Sequence, residues 1–160
     1  MHYPMNQLDS PAEAQRAALQ YLKKGPLSVG QIRQRLLNRG FEKVAAENAI
    51  ENLIECGDLS DRNLAMSLSE QAIHNGRGPR WIEQALSRRL FIDEDIEFCV
   101  DQAKAQAEEI AQTILRKRYG PVALAEAATR PKAARFLHAR GFEECTIEDA
   151  LEAVFPVPEY

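Results

Sequence analysis

The 160-residue sequence has no apolar run approaching the ~18 residues that a membrane-spanning helix needs. That absence excludes a helical membrane anchor. Cysteine is also scarce. Cys56, Cys99 and Cys145 form an odd set without paired spacing, which excludes a disulfide framework and suits reduced thiols in a cytoplasm. Residues 1–15 lack a basic stretch followed by an apolar one, so no secretory signal is expected. Eight Gly and eight Pro are too few for a low-complexity chain. Side chains branched at Cβ are sparse as well: six Val, ten Ile and three Thr stand against 23 Ala and 16 Leu. Side chains without a branch at Cβ lose little rotamer freedom in a helix. With 45% hydrophobic residues available for a core, an all-α, soluble, cytoplasmic protein is expected.

An internal repeat organises the chain. Phe41, Phe91 and Phe142 are spaced by 50 and 51 residues. Five residues before each stands a leucine (Leu36, Leu86, Leu137), and two before each an arginine (Arg39, Arg89, Arg140). Nine before come Ile32, Ile82 and Ala133; five after, Ala46, Ile96 and Ile147; nine after, Ile50, Val100 and Leu151. Small residues recur eight positions after each Phe, at Ala49, Cys99 and Ala150. Steps of four and five are helical spacing, so each Phe is expected between two amphipathic helices. Six of these Phe and Leu positions are core candidates.

Local signals agree. Gly40 and Gly141 precede their Phe, as in helices closed by a left-handed glycine. Leu90 replaces glycine in the middle repeat, which predicts a different helix end there. Ser28-Val29-Gly30-Gln31 has capping-box spacing, Pro79 and Pro131 suit first turns, and Thr146 is expected to open the last helix. Upstream helices are expected over 14–24, 63–74 and 103–119, making nine core helices, with one extra turn in 122–129. The expected limits are an N-terminal extension 1–13, repeats 14–61, 62–104 and 105–155, and a C-terminal tail 156–160.

Overall charge is −4, from 20 Lys and Arg against 24 Asp and Glu, which argues against a strongly basic nucleic-acid-binding domain. The charge is nevertheless segregated. Windows 28–39, 77–89 and 130–140 carry +3, +3 and +4, whereas 42–61, 93–101 and 143–152 each carry −5. Mixed surface charge aids solubility, but a stripe of basic second helices would also attract polyphosphate or an acidic protein groove. The candidate partner-binding residues are Arg33, Arg35, Arg77, Arg80, Arg88, Lys132 and Arg135.

Three stretches carry a resemblance to a known family. The first runs from Ser28 through Ile32-Arg33-Gln34-Arg35-Leu36 to Arg39-Gly40-Phe41. The second is Leu53-Ile54-Glu55-Cys56-Gly57-Asp58-Leu59-Ser60-Asp61. The third is Gly76-Arg77-Gly78-Pro79-Arg80-Trp81-Ile82, and Ala134 to Phe142 fits the closing repeat. The chain resembles the RecX family from Ala14 to Phe155. Leu59, Leu64 and Leu68 stand where that family commonly has aromatics. The resemblance implies a curved, elongated array of three tandem three-helix repeats. It also implies binding within the groove of the RecA recombinase filament on single-stranded DNA, and inhibition of its ATPase and strand exchange. The setting so implied is recombinational DNA repair and the SOS response.

No catalytic or metal-binding constellation is visible. His2, His74 and His138 are scattered without ligand-spaced partners, and the three cysteines read as buried small hydrophobes. Asp93-Glu94-Asp95 reads as a helix N-terminus favoured by the dipole. Trp81 reads as packed and Arg39, Arg89 and Arg140 as complements to helix C-termini. A non-enzymatic monomer without cofactor is expected, with weak direct DNA binding as a secondary property. The alternatives are a helix-turn-helix-like DNA binder and a helical scaffold for another protein.

Overall fold

A computed structural model describes residues 6–155. The tail 156–160 and the first five residues of the 1–13 extension lie outside the described residues. Among those described, the chain is all helical: a 3-10 turn Gln7–Asp9 precedes α1 (Pro11–Lys23), α2 (Val29–Asn38), α3 (Lys43–Glu55), α4 (Asp61–His74), α5 (Pro79–Arg88), α6 (Asp93–Arg118), α7 (Pro121–Leu124), α8 (Thr129–Ala139) and α9 (Glu144–Val154).

Two expectations on elements change. The separate helices expected over 93–101 and 103–119 are one 26-residue helix, α6. Ala103, Ala107 and Ala111 are buried within it, and Gln102 offers no break, so helical propensity carries straight through. The last helix begins at Glu144, ahead of Thr146. The extra turn expected in 122–129 is α7, begun by Pro121 after Gly120. The repeats 14–61, 62–104 and 105–155 are proposed as units of sequence, since the limit at 104/105 falls inside α6.

Compactness divides the chain into two units, the described part of 1–65 with 87–92, and 66–86 with 93–155. In the first, α1 and α2 pack on α3 around Ala14, Ala18, Ile32, Leu36, Ala46, Ala49, Ile50 and Leu53. Ser28 starts α2 with the expected capping box, its hydroxyl accepting from Gln31 N–H at 3.1 Å while Gln31 Oε1 accepts from Ser28 N–H at 3.1 Å. In the second unit, α6 and α8 pack on α9 around Leu115, Leu137, Phe142, Ile147 and Leu151.

All three repeat phenylalanines are buried. Their helix ends share a left-handed residue, Gly40 (φ 100°), Leu90 (φ 61°) and Gly141 (φ 91°). Phe41 N–H returns to Leu36 carbonyl at 3.1 Å and Gly40 N–H to Leu37 at 3.0 Å; Phe142 and Gly141 repeat this on Leu137 and His138 at 3.2 and 3.0 Å. This six-to-one, five-to-two pairing satisfies the last carbonyls and folds the Phe onto the leucine five residues back. The middle repeat, expected to end differently, shares the left-handed residue and one of the two bonds, Leu90 N–H to the Ser87 carbonyl at 3.0 Å. A leucine there meets the steric clash that glycine escapes, costing roughly 1–2 kcal/mol.

Candidate partner-binding site

The second unit concentrates arginine against aromatic rings. Arg77 lies over the Trp81 ring at 5.1 Å. Arg140 lies 5.1 Å from the Phe136 ring centre, and Arg118 lies 4.3 Å from the same ring and 5.9 Å from Tyr119. Arg140 Nη1 also donates to the Asn75 carbonyl at 2.8 Å, next to the Gly76-Arg77 turn. These contacts make two arginine–aromatic groups, Arg77 on Trp81 and Arg140 with Arg118 around Phe136, called the ladder below; the carbonyl that Arg140 reaches, Asn75, stands two residues before Arg77.

Each rung has a local cause. Gly76 (φ 75°) closes α4, with Arg77 N–H returning to the Ala72 carbonyl at 2.9 Å. Gly78 N–H and Arg80 N–H then donate to the Arg140 and Gly141 carbonyls at 2.8 and 3.0 Å. That contact sets the start of α5, and with it Trp81, on the turn that closes α8. A Cβ on Gly78 would fall 2.5 Å from Gly141 carbonyl atoms, so glycine is required by the approach of two backbones. Phe136 and Arg140 stand four residues apart on the last turn of α8, and Arg118 ends α6 with Arg116 and Lys117.

Among the described residues none of Arg77, Arg118 and Arg140 is ion-paired to an acid. Rings hold their guanidiniums in place at about 0.5–1 kcal/mol per exposed contact while leaving hydrogen-bond donors for an anion. Trp81 keeps 37% of its surface exposed, so the expected packing is partial.

The seven expected site residues do not form one cluster. Arg33, Arg35 and Arg88 belong to the first unit, and Arg77, Arg80, Lys132 and Arg135 to the second. Arg33 is engaged by Glu47 of α3, Nε to Oε1 at 2.5 Å and Nη2 to Oε2 at 3.2 Å. This hydrogen bond raises the arginine's pKa and holds the Glu47 carboxyl below the usual carboxylate range. Arg35 covers Tyr21 at 5.6 Å. Arg80, Arg88, Lys132 and Arg135 are exposed. Of the seven, Arg77 alone joins the ladder.

Sequence reasoning missed Arg118, Phe136 and Tyr119 as a group, and read Arg140 only as a helix-end charge. The signal was present in Arg116-Lys117-Arg118-Tyr119, a basic run ending on an aromatic, but it lay outside the charge windows. Cys56 and Cys145 are exposed, against the expectation for small apolar residues, and Cys99 is buried. Cys56 occupies the exposed C-cap of α3 and Cys145 the first turn of α9. No group of three His, Cys, Asp or Glu among the described residues could hold a metal ion, and no described helix is long and apolar enough to cross a membrane.

Comparison with known proteins places the chain among relatives. Residues 14–53 match the family description "RecX, first three-helix domain". The chain is similar to the "Regulatory protein RecX" of Stenotrophomonas maltophilia (strain R551-3), with 30% identity over 133 residues, 83% of this chain and 82% of that one. It is similar to the protein of the same name from Vibrio vulnificus (strain CMCP6), with 30% identity over 134 residues, 84% and 88% of the two chains. The crystal structure of RecX from Lactobacillus salivarius shares the fold at a TM-score of 0.78, covering 90% of this chain and 96% of that one at 19% identity.

Proposed function

The chain belongs to the RecX family of regulatory proteins, and on that premise we propose that it binds the RecA recombinase filament on single-stranded DNA and restrains its ATP hydrolysis and strand exchange. The observation that carries the reading is the arginine–aromatic ladder of the second unit. It presents three guanidiniums without acidic partners, held by Phe136 and Trp81. Such a surface attracts an anionic partner even on a chain of net charge −4.

Inhibition is by occupancy, without a covalent step. The seven exposed or half-buried cations named from sequence, Arg33, Arg35, Arg77, Arg80, Arg88, Lys132 and Arg135, remain proposed contacts. Arg33 ranks last because the Glu47 carboxylate already neutralises it. Direct contact with DNA is a weaker, secondary property, since acidic helices repel phosphate wherever they face it. The site of action is the cytoplasm, with the protein acting as a monomer.

Titrating the protein into a RecA reaction on single-stranded DNA while following ATP turnover tests this. Turnover should fall in proportion to bound protein and recover when the protein is removed. Unchanged turnover at saturating protein would reject the reading.

A further inference from the structure

α5 has two unlike sides. Pro79, Ile82 and Leu86, spaced by three and four residues, are buried. On the opposite side Trp81 and Gln84 stand three apart, both exposed, and Arg77 joins them by lying over the Trp81 ring at 5.1 Å. Arg80, four residues before Gln84, is exposed and flanks the same stripe. Glu83, the one acid of α5, is two residues from Trp81 and so stands on another side of the helix. Neither Arg77 nor Arg80 is ion-paired to an acid among the described residues.

Trp81 is the only tryptophan of the chain. Its backbone is pressed onto the turn that closes α8. A Cβ on Gly141 would fall 2.5 Å from Trp81 N and 2.6 Å from Trp81 Cβ. The indole is therefore carried on a fixed backbone, which lowers the entropy lost when a ligand settles on it. Part of its surface stays open, ring area that the fold does not use.

Two kinds of partner use an exposed arginine–tryptophan pair. A protein interface buries such a pair among other apolar side chains. This stripe has none: beside Trp81 it carries Arg77, Arg80 and Gln84, and among the described residues of the second unit the only other exposed large apolar side chain is Val122. A single strand of nucleic acid suits a ring set among cations and an amide. Its unpaired bases offer flat faces to stack, and its phosphates accept from guanidinium groups. A duplex offers no free base face, and an acidic peptide offers charge without a plane.

We propose that Trp81 is a base-stacking platform for single-stranded nucleic acid, with Arg77 and Arg80 taking the adjoining phosphates. The base stacks on ring area that Arg77 leaves open. For the source of that strand, the recombinase filament, the inference rests on the proposed function above.

Because Trp81 is the only tryptophan, the emission of the full chain reports on it alone. At low salt, saturating oligothymidylate of roughly 16 nucleotides should quench that emission strongly. An abasic oligomer of the same length, a duplex or polyglutamate should quench it weakly or not at all. By the anisotropy of a labelled oligomer, Trp81→Leu should bind oligothymidylate at least about five-fold more weakly, as for one lost base stack. Trp81→Phe should bind it nearly as the parent does. Both variants should bind the abasic oligomer like the parent, which a general loss of structure would not allow. Equal quenching by the abasic oligomer, the duplex or polyglutamate would overturn the proposal. So would a folded Trp81→Leu variant with unchanged affinity for oligothymidylate. If Trp81→Leu does not fold, the quenching comparison on the parent chain decides alone. A parent chain that restrains RecA turnover without base-dependent quenching overturns this inference and leaves the proposed function standing. Base-dependent quenching without restraint upholds the platform and rejects the proposed function.

Discussion

Gly78 N–H donates to the carbonyl of Arg140 at 2.8 Å, and this hydrogen bond fastens the start of one second helix to the end of the next in sequence. The matching bond in the first unit is made by a side chain, Ser28 Oγ to the Arg89 carbonyl. Both junctions need a glycine, Gly78 against Gly141 and Gly30 against Leu90, and the first-unit one adds a hydroxyl.

Gly78→Ala tests the first junction. The added methyl would meet the Gly141 carbonyl and Phe142 N–H at 2.5–2.6 Å, where only backbone can yield. Urea unfolding should show a loss of about 1–3 kcal/mol, as in overpacked cores. Gly120→Ala is the control: nothing lies within 4 Å and φ is −72°, so stability should change by less than ~0.5 kcal/mol.

Leu90→Gly should stabilise the chain by up to about 1 kcal/mol, because it releases a left-handed leucine. The side chain is 43% exposed, so little packing is sacrificed. Thermal unfolding measures the gain.

Phe91→Ala should cost about 3–5 kcal/mol through lost transfer energy and a cavity, since Phe91 is buried. Denaturant titration would read this as a lower midpoint. A change under ~1 kcal/mol would detach the middle repeat from the Phe register.

The Arg33–Glu47 pair predicts a modest pH effect. Glu47 has a lowered pKa in the fold, so its stabilisation is present above the unfolded carboxylate pKa and lost as pH falls through the folded one. Both side chains are more than a third exposed, and screening keeps the pair at or below ~1 kcal/mol. Glu47→Gln should lower stability by at most ~1 kcal/mol at neutral and alkaline pH, leave it unchanged in strong acid, and so flatten the acid limb slightly.

Much of the fold was legible because repeat spacing, capping and glycine placement all act locally. The Phe41, Phe91 and Phe142 register, the capping box at Ser28 and the helix stops at Gly40 and Gly141 could be read directly. The fused helix α6 was hidden because alanine-rich sequence carries helix across a repeat limit without a marker. Leu90 was misread because the packing around its turn overrides the preference for glycine. The site was only partly legible. Arg77 follows from its motif, but the stacking of Arg118 and Arg140 on Phe136 joins residues from two helices that sequence spacing does not relate.

Binding to RecA-coated single strand, naked single strand and naked duplex, compared in one salt series for the parent chain and an Arg77→Gln, Arg118→Gln variant, tests the central claim most directly. The parent should prefer the coated strand. The folded variant should bind it more weakly, with a salt slope reduced by about 0.7 for each single-strand phosphate no longer neutralised. A variant that binds the coated strand as the parent does, or a parent that prefers naked duplex, would contradict the account.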